Sequence, residues 1–355
     1  MIKPFYYYLI IFILFTRVIS GACVFASEDG LIRVRILHKH HPKSITVSES
    51  NSNDKTVFID LNSNFPMYFP FANQYSICIP ENTIKHNYCG RLQVYKEKNE
   101  LLVINIIQLE DYVVSVVLSE LGWTVAEAMR AQAVLARTWA ISNRHKDSLY
   151  DFDDLTHSQV YKGLFPQSEE THKLLAENYG QIVVYQGRPI EVLYHAACSD
   201  RVYSAYEIWG VDHKPYLAQT ELPNILKTRL NKSSWQRIIL KDSLDPLFQK
   251  KIETDQPIQY IKTQRDGILG VYVNNYWIGI DDFRLTINRA LGWNQIRSND
   301  FTLEVKGKNI IFKGKGFGHL VGLCQEEAVV LAENGYTYGQ LLDFFYPGSS
   351  VIAMK

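Results

Sequence analysis

The run TVAEAMRAQAVLARTWAISNRH, from Thr124 to His145, constrains the fold more than any other stretch of the chain. Its alanine-rich body has high helix propensity and predicts one helix reaching to about Arg144. Thr124 is followed three residues later by Glu127, a spacing that reads as a capping box at the start of that helix. The helix would be apolar nearly all round. A surface helix keeps one polar side, so this one belongs in the centre of a domain. Its few polar members, Arg130, Gln132 and Arg137, would then need partners. The chain is long enough to cover such a helix: it has 355 residues, 46% of them hydrophobic and 21% charged. That size and composition suit a large globular core.

Immediately upstream, Leu109, Val113, Val116, Val117, Glu120 and Leu121 recur at helical spacing, and Glu110 and Asp111 suit a first turn. The β-branched content keeps a strand reading open. On the helical reading Glu120 falls on the apolar stripe, one turn beyond Val116 and Val117, where solvation is poorest. The first third of the chain is different. LIRVRIL alternates, Pro66, Pro70 and Pro80 exclude helices, and RLQVYKEKNELLVINII reads as a hairpin around Lys98-Asn99-Glu100. Downstream, SEETHKLLAENYG predicts a short helix with Ser168 as its cap and Gly180 as its stop. QIVVYQGRPIEVLYHA predicts a hairpin turning at Gln186-Gly187. The C-terminal run predicts a strand, a glycine-rich loop, a helix ended by Asn334-Gly335, and a Thr337-capped helix stopped by Pro347. Residues 210–300 are mixed in pattern and less readable. The expected fold class is α+β. It consists of one domain over 27–355, with a strand-rich part at 27–107 and a core at 108–355 holding the buried alanine-rich helix and the C-terminal helices.

The 37 basic and 37 acidic residues cancel, so neither nucleic acid nor an anionic membrane is signalled as a partner. The N-terminus carries Lys3 and then FYYYLIIFILF, an apolar run too short to span a bilayer. Ala22 and Ala26 follow, small residues suited to cleavage. Residues 1–26 therefore read as an export signal, which sends the mature chain to the periplasm or cell envelope. Membrane contact would come only through an uncleaved leader. A lipoprotein reading would use Cys23, but Ser20 stands where an aliphatic residue is expected. Of the other cysteines, Cys78 and Cys89 would close a short loop if oxidised, and free buried thiols are the alternative. No Cys-x-x-Cys pair or finger-like Cys/His spacing occurs, so no structural zinc site and no cofactor are signalled.

Five segments then follow in a definite order: LEDYVVSVVLSE, AEAMRAQAVLARTWA, LTHSQVYKG, GQIVVYQGRPIEVLYHAACS, and KGFGHLVGLCQEEAVVLAENGYTYGQLLDFFYPG. Together they resemble the stage II sporulation protein D family, SpoIID/LytB, over roughly Gly90 to Lys355. The resemblance implies a protein of bacterial peptidoglycan. Sporulation members of that family are lytic transglycosylases, which cleave the MurNAc–GlcNAc β-1,4 bond without water and leave a 1,6-anhydro sugar. The family's catalytic acid is the glutamate of a Ser-Glu-Met-Pro-like motif, which falls on Glu120 in LSELGW. Other members are regarded as modifiers of cell-wall amidases, so a non-catalytic, amidase-enhancing partner role is the alternative. The chain departs from the family pattern at Leu121-Gly122-Trp123, at Ser158 where cysteine is common, at Ser199-Asp200 where glycines are usual, and at Glu326-Glu327 where Trp-Gly is usual.

Glycoside hydrolysis ordinarily needs two carboxylates. A transglycosylase can use one, which protonates the glycosidic oxygen and then removes the proton of the sugar's own 6-hydroxyl. Such a group must be protonated near neutral pH, and an apolar setting raises a carboxyl pKa in that direction. The competing reading of Glu120 is a helix-end acid paired with Arg130 or Arg137. Tyr112, Gln132, Arg137, His157, Gln159, Tyr161, Gly316, Gly318 and His319 are the candidates for binding or orienting a glycan. The glycines would let backbone approach the sugar. His157, His195 and Cys198 remain possible metal ligands, and a rival reading is a metal-dependent wall hydrolase using His157, His195 or His319. A thiol nucleophile at Cys198 with His195 is disfavoured, because three residues along a strand would place them on opposite faces.

Overall fold

Alternation in the first third of the chain builds one large sheet from β1 (Leu31–Ile36), β2 (Ser44–Glu49), β3 (Thr56–Asp60), β4 (Met67–Ile79), β5 (Ile84–Glu97) and β6 (Glu100–Gln108). The computed structural model describes residues 30–50, 56–145, 148–155, 158–211, 214–223, 233–252 and 258–354. The expected leader, with Cys23, and His157 lie outside them. Two helices follow the sheet, α1 (Leu109–Glu120) and α2 (Ala126–Asn143), so the helical reading of 109–120 holds. A short strand, β7 (Phe152–Asp153), then runs parallel to β1 and completes the order β3-β2-β4-β5-β6-β1-β7. The fold is α+β, as expected.

The β5–β6 hairpin turns where its sequence places it. Glu97 pairs with Glu100, and Lys98 takes a left-handed φ of 53°. Leu101 to Ile107 of β6 are all buried because both faces of the strand are covered. Leu102, Ile104 and Ile106 form a small cluster apart from the core that holds Leu101 and Val103. Cys78 and Cys89 are not joined in a disulfide. Cys78 faces Lys85 across the β4–β5 ladder, which sets Cys89 four residues, about 13 Å, along the strand and out of bonding reach.

The all-round apolar surface of α2 is explained by two cores that share it. Met129, Ala133, Ala136 and Ala140 pack with the large sheet and α1. Ala128, Ala131, Val134 and Leu135 pack with the C-terminal half of the chain. The expected capping box is not formed, since Val125 is the N-cap and no side chain caps the helix. Glu127 points elsewhere. Its carboxylate accepts the backbone N–H of Tyr338 at 2.7 Å, tying the start of α2 to the last helix, and it pairs with Arg130 at 2.6 Å. The last helix, Tyr338–Phe345, does carry a capping box, formed by Thr337 and Gln340.

Next come α3 (Ser168–Leu175), with Gln167 rather than Ser168 at the N-cap, and the hairpin of β8 (Gln181–Tyr185) and β9 (Arg188–Pro189). Gln186 and Gly187 between these strands both take positive φ, 51° and 75°, which a tight hairpin turn requires. The strand β10 (Tyr194–His195) pairs in parallel with Leu323–Cys324. Residues 234–315 form two three-stranded antiparallel sheets and the helices Lys241–Ile252 and Ile280–Leu291. Among the described residues no helix is long and apolar enough to cross a membrane.

Candidate functional site

Glu120 is the last residue of α1, and the chain leaves the helix through Leu121 and the left-handed Gly122, whose φ is 76°. The carboxyl is therefore held by a packed helix yet sits at its open end, partly exposed. Glu120 Oε1 accepts the backbone N–H of Val160 at 2.9 Å and the hydroxyl of Tyr194 at 3.4 Å. Burial raises its pKa above the ordinary carboxylate value, against the opposing effects of the Val160 N–H, the Tyr194 hydroxyl and the nearby cation of Lys162.

Pairing of Glu120 with an arginine does not occur. Arg130 is engaged by Glu127 and Glu177, at 2.6 and 3.1 Å. Arg137 is bound by both oxygens of Glu110, at 2.8 and 2.6 Å.

Behind Glu120 runs a directed chain of hydrogen bonds. Tyr112 donates its O–H to Gln159 Oε1 at 3.1 Å, Gln159 Nε2 donates to the Tyr194 oxygen at 3.3 Å, and Tyr194 donates to Glu120. Tyr112 and Gln159 are buried, so they bear on the carboxyl through Tyr194 and do not contact a ligand directly.

Two further candidates are also displaced. Tyr161 is buried, stacks on Tyr112 with ring centroids 5.5 Å apart, and donates to Asn105 at 2.5 Å. Arg137 has no exposed side-chain surface, and beyond Glu110 it donates to the Gln181 carbonyl at 2.9 Å. Both serve the interior. Gln132 is also fully buried, and neither its amide nitrogen nor its amide oxygen has a hydrogen-bond partner. That is a rare condition for a native interior.

The glycine-rich loop packs against β10 and the residues just after it. Gly316 and Gly318 take φ of 81° and 108°, and a Cβ on them would come within 2.8 Å of the Ala197 carbonyl and of the His195 Cβ. Close packing of protein on protein accounts for glycine at both positions. Gly318→Ala is expected to destabilise the chain by about 2 kcal/mol or more, since a side chain is strained at that φ before the clash is counted. A chemical-denaturation midpoint unchanged in the variant would contradict this.

His319 is partly exposed, and its Nδ1 accepts the Val321 N–H at 3.1 Å. Its ring lies 5.4 Å from that of Trp209 and 5.6 Å from that of His195. Burial lowers its pKa to about 4, so it is neutral at physiological pH. Cys198 and His195 are not on opposite faces. The strand β10 ends at His195, and the chain turns so that Cys198 Sγ lies 3.6 Å from His195 Nε2.

Tyr194 and the Val160 N–H are the site groups that residue patterns did not single out. Each was adjacent in sequence to a residue that was singled out, His195 and Gln159 respectively. The exposed Trp123 stands three residues after Glu120. A surface depression of 560 Å³, lined in part by Asp200, Trp235, Asp300 and Lys315, includes neither Glu120 nor Tyr194.

Residues 97–185 match the family described as SpoIID, stage II sporulation protein. The chain is 29% identical over 273 residues to an uncharacterized protein of Brachyspira hyodysenteriae, covering 75% of this chain and 72% of that one. It is 28% identical over 297 residues to the stage II sporulation protein D of Bacillus amyloliquefaciens, covering 76% and 81% of the two chains. It is 23% identical over 286 residues to the amidase enhancer of Bacillus subtilis, covering 65% of this chain but 38% of that longer protein. The stretch that carries Glu120, Gln132 and Gln159 thus matches the stage II sporulation protein D family model, and the chain is similar to a protein of that name over 76% of its length.

Proposed function

We propose that this protein is an exported peptidoglycan lytic transglycosylase in which Glu120 acts first as acid and then as base. The observation that carries the reading is a partly exposed helix-end carboxyl, raised in pKa by burial and bound by a backbone N–H and a tyrosine hydroxyl rather than by an arginine. Two-carboxylate hydrolysis requires a second acid within about 5 to 10 Å to serve as nucleophile or base. Intramolecular attack does not.

With Oε1 accepting from Val160 and Tyr194, Oε2 carries the proton. That proton passes to the glycosidic oxygen of a bound MurNAc–GlcNAc linkage as the C1–O bond breaks. The carboxylate so formed is stabilised by the two donors on Oε1. It removes the proton of the MurNAc 6-hydroxyl, and O6 closes on C1. The exposed Trp123 offers an aromatic face on which a sugar ring can stack.

Digestion of purified glycan strands with mass spectrometry of the ends tests the reading directly. Anhydro-MurNAc termini are the expected product, and reducing termini alone would refute it. The pH dependence has a definite sign. The reaction starts from protonated Glu120, whose pKa is raised, so activity is present below that pKa and falls as pH rises through it. Tyr194→Phe removes a donor that lowers this pKa, and the alkaline limb of the rate profile should move to higher pH. A limb that stays in place would separate Tyr194 from Glu120.

A second reading is favoured by the similarity to an amidase enhancer and by the unusual Leu121-Gly122-Trp123. In it the chain binds peptidoglycan and stimulates a cell-wall amidase without cleaving glycan. Tight binding with no cleavage, indifferent to Glu120→Gln, would decide for it.

A further inference from the structure

We propose that His195, Cys198 and Cys324 form a buried structural site for zinc, with the Glu327 carboxylate beside it as a charge partner of the two thiols. The three ligand atoms, two thiol sulfurs and one imidazole nitrogen, lie within 4.8 Å of one another, and all three residues are buried. They come from two places distant in sequence. The parallel pairing of β10 with Leu323–Cys324 sets His195 directly opposite Cys324, so their side chains share one face. The turn after His195 then brings Cys198 back to the same point.

Three details go beyond mere proximity. The first is distance. A tetrahedral centre with a metal–nitrogen bond of about 2.0–2.1 Å and a metal–sulfur bond of about 2.3 Å has an N···S edge of about 3.5–3.6 Å. The His195 Nε2 to Cys198 Sγ separation is 3.6 Å.

The second is the orientation of the imidazole. His195 Nδ1 donates to the Val321 carbonyl at 3.2 Å, which places the ring's free lone pair on Nε2, facing the sulfurs. A backbone carbonyl behind the ring is the usual support of a metal-binding histidine.

The third is charge. Glu327 is a buried carboxylate, and its Oε2 accepts the Cys198 N–H at 3.3 Å and the Cys324 thiol. Binding would release the two thiol protons, leaving two thiolates and a neutral imidazole around the ion, with Glu327 adding one negative charge.

The site also has a consequence for Glu120. Tyr194 and His195 are consecutive, so they point to opposite sides of β10. Tyr194 reaches Glu120, and His195 reaches the sulfurs. An ion there fixes the strand from behind and makes His195 a positioning residue for Tyr194.

The test uses the protein as purified from cells without reductant or chelator, with metal content measured by plasma mass spectrometry. One zinc per chain is expected. Exchange with cobalt(II) should give the visible bands of a tetrahedral centre and a thiolate-to-cobalt charge-transfer band. Cys198→Ser should lose one of the two thiolate contributions, and His195→Gln should weaken retention of the ion by at least about 10-fold. Glu120→Gln should leave both signals unchanged, which separates this proposal from the fate of the transglycosylase reading. Folded wild-type protein holding no stoichiometric metal, or a Cys198–Cys324 disulfide in the unreduced peptide map, would overturn it. Neither result depends on a variant that may fail to fold.

Discussion

Glu120→Gln should lower the rate of anhydro-MurNAc formation by about 10³-fold or more, since positioned acid–base groups contribute about 10²–10⁴ and this carboxyl performs both transfers. The substitution keeps the shape and the Oε1 acceptor for Val160 and Tyr194. It removes only the transferable proton. The fold supplies an internal control. A carboxyl whose pKa is raised in the folded chain favours folding fully below its unfolded pKa, and that benefit is lost as pH rises through the folded value. Glutamine is neutral throughout and escapes the loss. At neutral pH the variant should therefore melt no lower than the parent protein. Lost cleavage with an unchanged or higher melting temperature supports the mechanism. Retained cleavage would move the chemistry to another residue.

The second large effect concerns stability. Arg137 is fully buried in α2 and grips both oxygens of Glu110 on α1, while Glu110 also accepts the Gly180 N–H at 3.2 Å. Arg137→Met leaves the carboxylate without its cation and the Gln181 carbonyl without its donor. Breaking a buried pair in this way costs about 3–5 kcal/mol. At roughly 2–4 °C per kcal/mol for chains somewhat smaller than this one, the melting temperature should fall by about 10 °C. Calorimetry on Arg137→Met, Glu110→Gln and the double variant checks the cause. If the pair is the source, the double variant should lose much less than the sum of the singles. Additive losses would show that the two residues act separately.

Much of this architecture was legible because local chemistry and tertiary structure agree. The Gln186-Gly187 turn, the Thr337 cap and the apolar repeat of α1 each follow from neighbouring residues and were readable for that reason. The capping box of α2 failed because a distant donor, the Tyr338 N–H, competes for the Glu127 carboxylate. Arg137 shows the limit on site prediction. A buried arginine and a ligand-binding arginine look alike in sequence, and only the position of Glu110 separates them. Tyr194 was not apparent because its hydroxyl meets Glu120 across 74 residues of chain. The metal-like cluster escaped the spacing rule for the same reason, since Cys324 is 126 residues beyond Cys198 and strand pairing alone brings them together. Residues 210–300 were hard to read because their strands do not alternate cleanly. Ser234–Leu240, for instance, buries only Trp235 and Ile239, which is no alternating pattern.

The helix α2 forms a wall common to two hydrophobic interiors. Neither interior can lose its packing without stripping one side of that helix, and a helix stripped on one side no longer supports the other. The strand-rich front and the C-terminal half should therefore melt as one cooperative unit, although each has its own set of buried side chains. A tryptophan signal from Trp235 and a backbone signal from the large sheet should disappear at the same temperature.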